Sequence, residues 1–125
     1  MIDHVSIGVS DLDAAALAYE RILAPLGLAL LVRRERTVGF GKRYPEFWLN
    51  HRDSLGTRAR DTGWHVCLRA ADESTVREFH AAALAAGCSD AGRPGPRPGQ
   101  MARYFAAFIE DHDGNRIEVA SFPTA

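Results

Sequence analysis

The chain spells one pattern twice. His4-Val-Ser-Ile-Gly-Val9 has the alternation of a strand, Ser10-Asp11 can cap a helix over about Leu12 to Ala24, and Pro25 with Gly27 stops that helix. From Trp64 the order returns: His65-Val-Cys-Leu-Arg-Ala70, then Ala71-Asp72, then a helical stretch from about Glu73 to Ala86 that reaches Gly87. His4-Val5 matches His65-Val66, and Gly27 matches Gly87. The expected architecture is therefore α+β, with two tandem βαβββ modules forming a curved mixed sheet around a central pocket. The 125 residues suit a single domain, with module 1 over about 1–52, a linker over about 53–62 and module 2 over about 63–125.

Within the first copy, Leu28-Ala-Leu-Leu-Val-Arg33 reads as a strand with Arg36-Thr-Val-Gly-Phe40 as its antiparallel neighbour. Leu17, Ile22 and Leu23 are among the apolar positions of the first helix. Glu46-Phe-Trp-Leu-Asn-His51 alternates, so Glu46, Trp48 and Asn50 share one face and Phe47, Leu49 and His51 the other. Residues 52–62 are polar and lack either periodicity, which marks a loop. Ala91-Gly-Arg-Pro-Gly-Pro-Arg-Pro-Gly99 cannot hold a central strand, because proline lacks the donor and glycine weakens pairing; a loop near the opening of the sheet is expected.

The second copy closes on a hairpin. Two strand-like runs between Tyr104 and Ala120 flank Asp111-His112-Asp113-Gly114-Asn115, and Gly and Asn tolerate the positive φ of a tight turn. On the last strand Arg116, Glu118 and Ala120 face one way, Ile117 and Val119 the other. If the first strands of the two copies lie near the centre of the sheet, His4 comes close to His65, and Glu118 faces the same space. Two His and one Glu form a ligand set for a divalent transition metal, with positions left open for water or substrate. Mixed nitrogen and oxygen ligation leaves Zn, Fe, Mn and Ni all open.

Tyr104 can donate to a bound oxygen or act as a general acid, and Trp48 is the better wall for a pocket. Lys42, Arg43, Arg69 and Arg103 are candidates to hold an anionic group of the substrate. His51, His80 and His112 read as surface residues, and Cys67 as strand packing. With 15 Lys and Arg against 16 Asp and Glu spread along the chain, nothing marks a nucleic-acid partner. No apolar run approaches a membrane span, and Met1-Ile-Asp-His enters a strand at once, so a cytoplasmic protein is the expectation. Cys67 and Cys88 form no CxxC pair and are expected as free thiols.

Phe108-Ile-Glu-Asp-His-Asp-Gly-Asn-Arg-Ile-Glu118, Asp3-His4-Val5-Ser6-Ile7 and Trp64-His65-Val66 together resemble the vicinal oxygen chelate superfamily, which contains glyoxalase I, extradiol dioxygenases, fosfomycin-resistance and bleomycin-resistance proteins. The resemblance covers essentially the whole chain, with His112 standing where proline is commoner. It implies one metal ligand from each of four strands, and His4, His65 and Glu118 match three. The fourth position falls on Trp48, which cannot ligate, unless Glu46 or Asn50 replaces it through a two-residue shift; that departs from glyoxalase I. It further implies a homodimer and a small-molecule substrate with vicinal oxygens, turned over by lyase, isomerase or dioxygenase chemistry in which Glu118 and Tyr104 take part. The alternative it leaves is a metal-free small-molecule binding protein of the bleomycin-resistance type.

Overall fold

The computed structural model describes residues 1–56, 62–98 and 104–122. Its elements follow the repeat. Module 1 contains β1 (Val5–Val9), α1 (Leu12–Leu23) with a short 3-10 turn (Ala24–Leu26), β2 (Ala29–Arg33), β3 (Thr37–Gly41) and β4 (Pro45–His51). Module 2 contains β5 (Val66–Arg69), α2 (Glu73–Ala85), β6 (Ser89–Pro96), β7 (Phe105–Glu110) and β8 (Arg116–Ser121). Each helix starts where a carboxylate can take an unpaired amide: Asp11 accepts from the N–H of Ala14 and Asp72 from that of Thr75. At both helix exits the chain turns through a glycine of positive φ, Gly27 and Gly87.

Two four-stranded sheets result, ordered β1-β4-β3-β2 and β5-β8-β7-β6. In each, the first strand runs parallel to the last and the others are antiparallel. The first strands thus occupy an edge of their own sheets rather than the middle of one continuous sheet. α1 packs on the first sheet, α2 on the second, and the helices on each other. One apolar core fills the space, with Ile22, Leu23, Phe40, Phe47, Phe79, Ile109 and Ile117 fully buried and the Tyr19 and Phe47 rings 5.4 Å apart. Leu17 is not part of it: the residue is exposed, on the side of α1 turned away from Ala16, Tyr19 and Leu23. No helix among the described residues is long and apolar enough to cross a membrane.

The Pro/Gly-rich stretch departs from the sequence expectation of a loop. Residues Ser89–Pro96 form β6, paired antiparallel to β7 with register shifts between Asp90 and Gly92 and between Gly92 and Gly95. An edge strand lets proline point its missing donor away from the ladder, and the shifts absorb the glycines. His80 is likewise not a surface residue. It is buried on α2, and its Nε2 lies 2.9 Å from Oδ1 of Asp90 at the start of β6. That bond and the N–H of Gly92 hold the Asp90 carboxyl below its ordinary value.

The turn between β7 and β8 fastens module 2 to module 1. Asp111 accepts four hydrogen bonds, from the Tyr19 hydroxyl at 2.6 Å, the Asn115 amide side chain at 2.9 Å and the backbone N–H groups of Asp113 and Asn115 at 2.9 Å. Asn115, itself buried, donates to the carbonyl of Gly8 in β1 at 2.9 Å, and Ser10 donates to Asp113 through its hydroxyl at 2.6 Å and its N–H at 3.1 Å. Burial, then the charge of Asp111, raises the Tyr19 phenol above its ordinary value.

Two outcomes follow from these contacts. Asp111→Ala leaves the hydroxyl and the amide without their acceptor and lowers unfolding stability in urea by roughly 2–4 kcal/mol, whereas Tyr19→Phe costs about 1–2 kcal/mol; a loss below about 0.5 kcal/mol in both would remove the turn's role. For Asp90 the folded value is depressed, so its contribution is present above the unfolded carboxylate value of 3.8 and vanishes as pH falls through the folded one. The stability difference between wild type and Asp90→Asn is therefore expected at neutral pH and absent in strong acid, measured by thermal melts across pH.

Candidate functional site

Glu118 lies in the middle of a strand that has neighbours on both sides. β8 sets it opposite Cys67 of β5 and Phe108 of β7, and the residue is only 4% exposed. A carboxylate so placed needs partners. One oxygen lies 2.9 Å from Nε2 of His65, which immediately precedes β5, and the other accepts the hydroxyl of Tyr104, which immediately precedes β7. The three side chains arrive from three adjacent strands on the face that alternation turns away from Ile117 and Val119.

Aromatic rings brace this cluster. Phe108 meets the His65 ring edge-on at 5.4 Å, and Phe122 meets Tyr104 at 5.0 Å. Arg69 lies over Phe122 at 4.8 Å and Arg97 over Phe108 at 5.9 Å. Desolvation, then the bond to Glu118, raises the Tyr104 phenol above its ordinary value, so the hydroxyl is a donor at neutral pH. Cys67 is exposed, not packed in the core as the sequence implied, because alternation along β5 turns it away from the core residue Val66 and onto the face of Glu118. Its thiol is still ringed closely enough that desolvation, ahead of the Glu118 charge, pushes it to about 11. Cys88 is buried, and both cysteines are free.

Module 1 presents a different chemistry at the equivalent place. Trp48 pairs with Ser6 of β1 and Gly39 of β3, the ladder position that Glu118 holds between Cys67 and Phe108. No two-residue shift brings Glu46 or Asn50 there. Glu46 accepts from the N–H of Lys42 at 3.3 Å, and Asn50 accepts from the Thr37 hydroxyl at 2.7 Å. Arg34 lies over the indole at 5.6 Å. Gly39 makes room for it: a Cβ there would stand 2.9 Å from both the indole and the Pro45 side chain.

His65, Glu118 and Tyr104 therefore come together, and the other candidates lie elsewhere. His4 is exposed, with Nδ1 2.7 Å from Asp3. Among the described residues no group of three or more His, Cys, Asp or Glu is placed to hold a metal ion, so His4 does not join the pair within one chain. Lys42 and Arg69 line a separate cavity of about 200 Å³. Arg103 lies outside the described residues. A larger cavity, about 600 Å³, adjoins Tyr104 and is walled by Arg77, Arg97, Pro96 and Phe105 among others. Sequence reasoning passed over Phe108, Phe122 and Arg97 as site residues. Alternation back from Glu118 across the hairpin was the signal that points to Phe108.

The model of the glyoxalase/bleomycin resistance protein/dioxygenase superfamily matches residues 1–119, and the chain belongs to that family. Among solved structures, a glyoxalase/bleomycin resistance protein from Albidiferax ferrireducens is 25% identical with a TM-score of 0.84, covering 95% of this chain and 97% of its own. A family enzyme from Burkholderia phytofirmans is 14% identical with a TM-score of 0.72, covering 98% of each chain. The fosfomycin resistance protein FosX of Listeria monocytogenes, in a complex with Mn(II) and 1S,2S-dihydroxypropylphosphonic acid, is 18% identical with a TM-score of 0.71, covering 98% of this chain and 90% of its own. No curated protein matches the chain. These likenesses agree with the α+β fold of two βαβββ modules.

The close fit of Trp48 over Gly39 has a direct test. Gly39→Ala, made in a Trp64→Phe background so that Trp48 alone reports, displaces the indole and red-shifts its fluorescence, with a stability loss of roughly 1–3 kcal/mol from overpacking. Unchanged emission would mean the indole does not rest on β3.

Proposed function

We propose that the chain is a metal-dependent enzyme acting on a small molecule with vicinal oxygens, by lyase, isomerase or dioxygenase chemistry, with His4, His65 and Glu118 as the metal ligands. The observation that carries this reading is the pairing of His65 with Glu118. A nitrogen and an oxygen 2.9 Å apart have the separation of two neighbouring donors on one ion, given bonds of about 2.0–2.2 Å. The donor types suit Zn, Fe, Mn or Ni, and FosX, a relative by fold, is known with Mn(II).

His4 is the missing donor, and its separation from the pair within one chain supports a homodimer in which His4 of the partner subunit completes each centre. Both β1 and β5 are sheet edges, which a second copy would cover. A divalent ion so held supplies Lewis acidity toward two oxygens of a chelating substrate. The chain's own groups do the rest. Tyr104 fixes one carboxylate oxygen of Glu118 and so positions the other beside His65. Phe108 and Phe122 pack edge-on against the His65 and Tyr104 rings and so help to orient them. Trp48 forms a flat wall of the pocket in the position a fourth ligand would take.

A second reading has its own support. Both oxygens of Glu118 are already engaged, and Trp48 replaces a donor with a stacking surface, as suits a metal-free protein that only binds a small molecule. Elemental analysis after reconstitution with Fe, Mn, Ni and Zn separates the two. Near-stoichiometric metal in the wild type, falling roughly tenfold or more in both His65→Ala and Glu118→Ala, is the expected result. A wild type that stays empty with every metal would favour the binding protein.

A further inference from the structure

We infer that the junction of the two modules is a binding site for a small aliphatic carboxylate, distinct from the His65–Glu118 cluster. The cavity of about 200 Å³ there has an apolar floor of Leu26, Leu28, Phe47 and Leu68, drawn from both modules. Its polar groups are Lys42 and Arg69, with Glu46 the single carboxylate. The two cations outnumber it, and Glu46 is turned to the backbone N–H of Lys42 rather than to either charge. Neither Lys42 nor Arg69 forms an ion pair among the described residues.

Both cations are exposed at the cavity, and neither is neutralised by an ion pair among the described residues. The Lys42 side chain runs past Gly27, its Cε 3.7 Å from where a Cβ on that residue would stand. Arg69 rests on the Phe122 ring at 4.8 Å, which orients its fork while leaving its N–H groups to an incoming oxygen pair. An ammonium point charge and a guanidinium fork together suit one carboxylate, and the leucines and Phe47 suit a short hydrocarbon tail. The volume is below that of pockets for drug-sized ligands, which selects acids of a few carbons. Because Leu28 and Phe47 belong to module 1 and Leu68 to module 2, an occupant touches both modules and stabilises their packing.

Butyrate is the probe, in thermal melts at constant ionic strength set with sodium chloride. The wild type is expected to gain roughly 3–6 °C in Tm at about ten times the dissociation constant, rising with the logarithm of butyrate concentration above it. The gain should at least halve in Lys42→Met and in Arg69→Met, vanish in the double variant, persist in His65→Ala, and be absent with 1-butanol. Amide shifts of Leu28, Phe47 and Leu68 in the wild-type ¹⁵N spectrum locate the probe independently of any variant. Absence of a gain, an equal gain in the double variant, loss in His65→Ala, an equal effect of inorganic phosphate, or amides at those three residues that do not move saturably would each overturn the assignment.

Discussion

One carboxylate holds the two halves of this protein in register. Asp111 gathers the Tyr19 hydroxyl from α1, the Asn115 amide and two backbone N–H groups of its own turn. Asn115 in turn reaches the Gly8 carbonyl in β1. The turn of the last hairpin is therefore at once the start of β8 and the clasp on module 1. Glu118 follows it on β8, so the position of the buried carboxylate depends on where that clasp sets the strand. Polar bonds suit this task better than apolar contact alone, because each has a narrow geometry and an unmet buried partner is costly.

Duplication supplied two equivalent places, and the sequence has treated them differently. Glu118 and Trp48 hold the same ladder position in their own sheets, one between Cys67 and Phe108, the other between Ser6 and Gly39. In module 2 the neighbours are polar or aromatic and support a charge through His65 and Tyr104. In module 1 the neighbours are small, which is what a flat indole needs to lie down on the sheet. The two faces thus differ in chemistry: one carries donors and the other a stacking surface.

Much of this was legible from the chain, and the exceptions share a cause. The repeat, the helix caps at Asp11 and Asp72, the glycine exits and the alternation around Glu118 are local signals, set by a few neighbouring residues. β6 was hidden because its prolines forbid a central strand, and a single sequence does not say which strand will lie at an edge. His80 looked like a surface residue because its partner, Asp90, lies across the helix exit on β6. Cys67 was misread for a related reason: a short apolar strand shows alternation but not which of its faces the helix covers. The contact of Tyr104 with Glu118 depends on hairpin register, which fixed their meeting but left no mark in composition.

The family places this fold among proteins whose chemistry varies, so the decisive question concerns the chain's own donors. In the proposed arrangement His65 and Glu118 of one chain work with His4 of the partner subunit. The most direct test mixes two variant chains, each lacking one proposed ligand: His4→Ala and Glu118→Ala are unfolded together, refolded as a mixture and assayed for bound metal beside each variant alone. In the mixed dimer one centre has all three side chains intact and the other has lost two. Metal that returns only in the mixture, at about one ion per mixed dimer, is the result this arrangement requires. A mixture as empty as its parents, beside a wild type refolded the same way that does bind metal, would show that the three residues do not meet between chains.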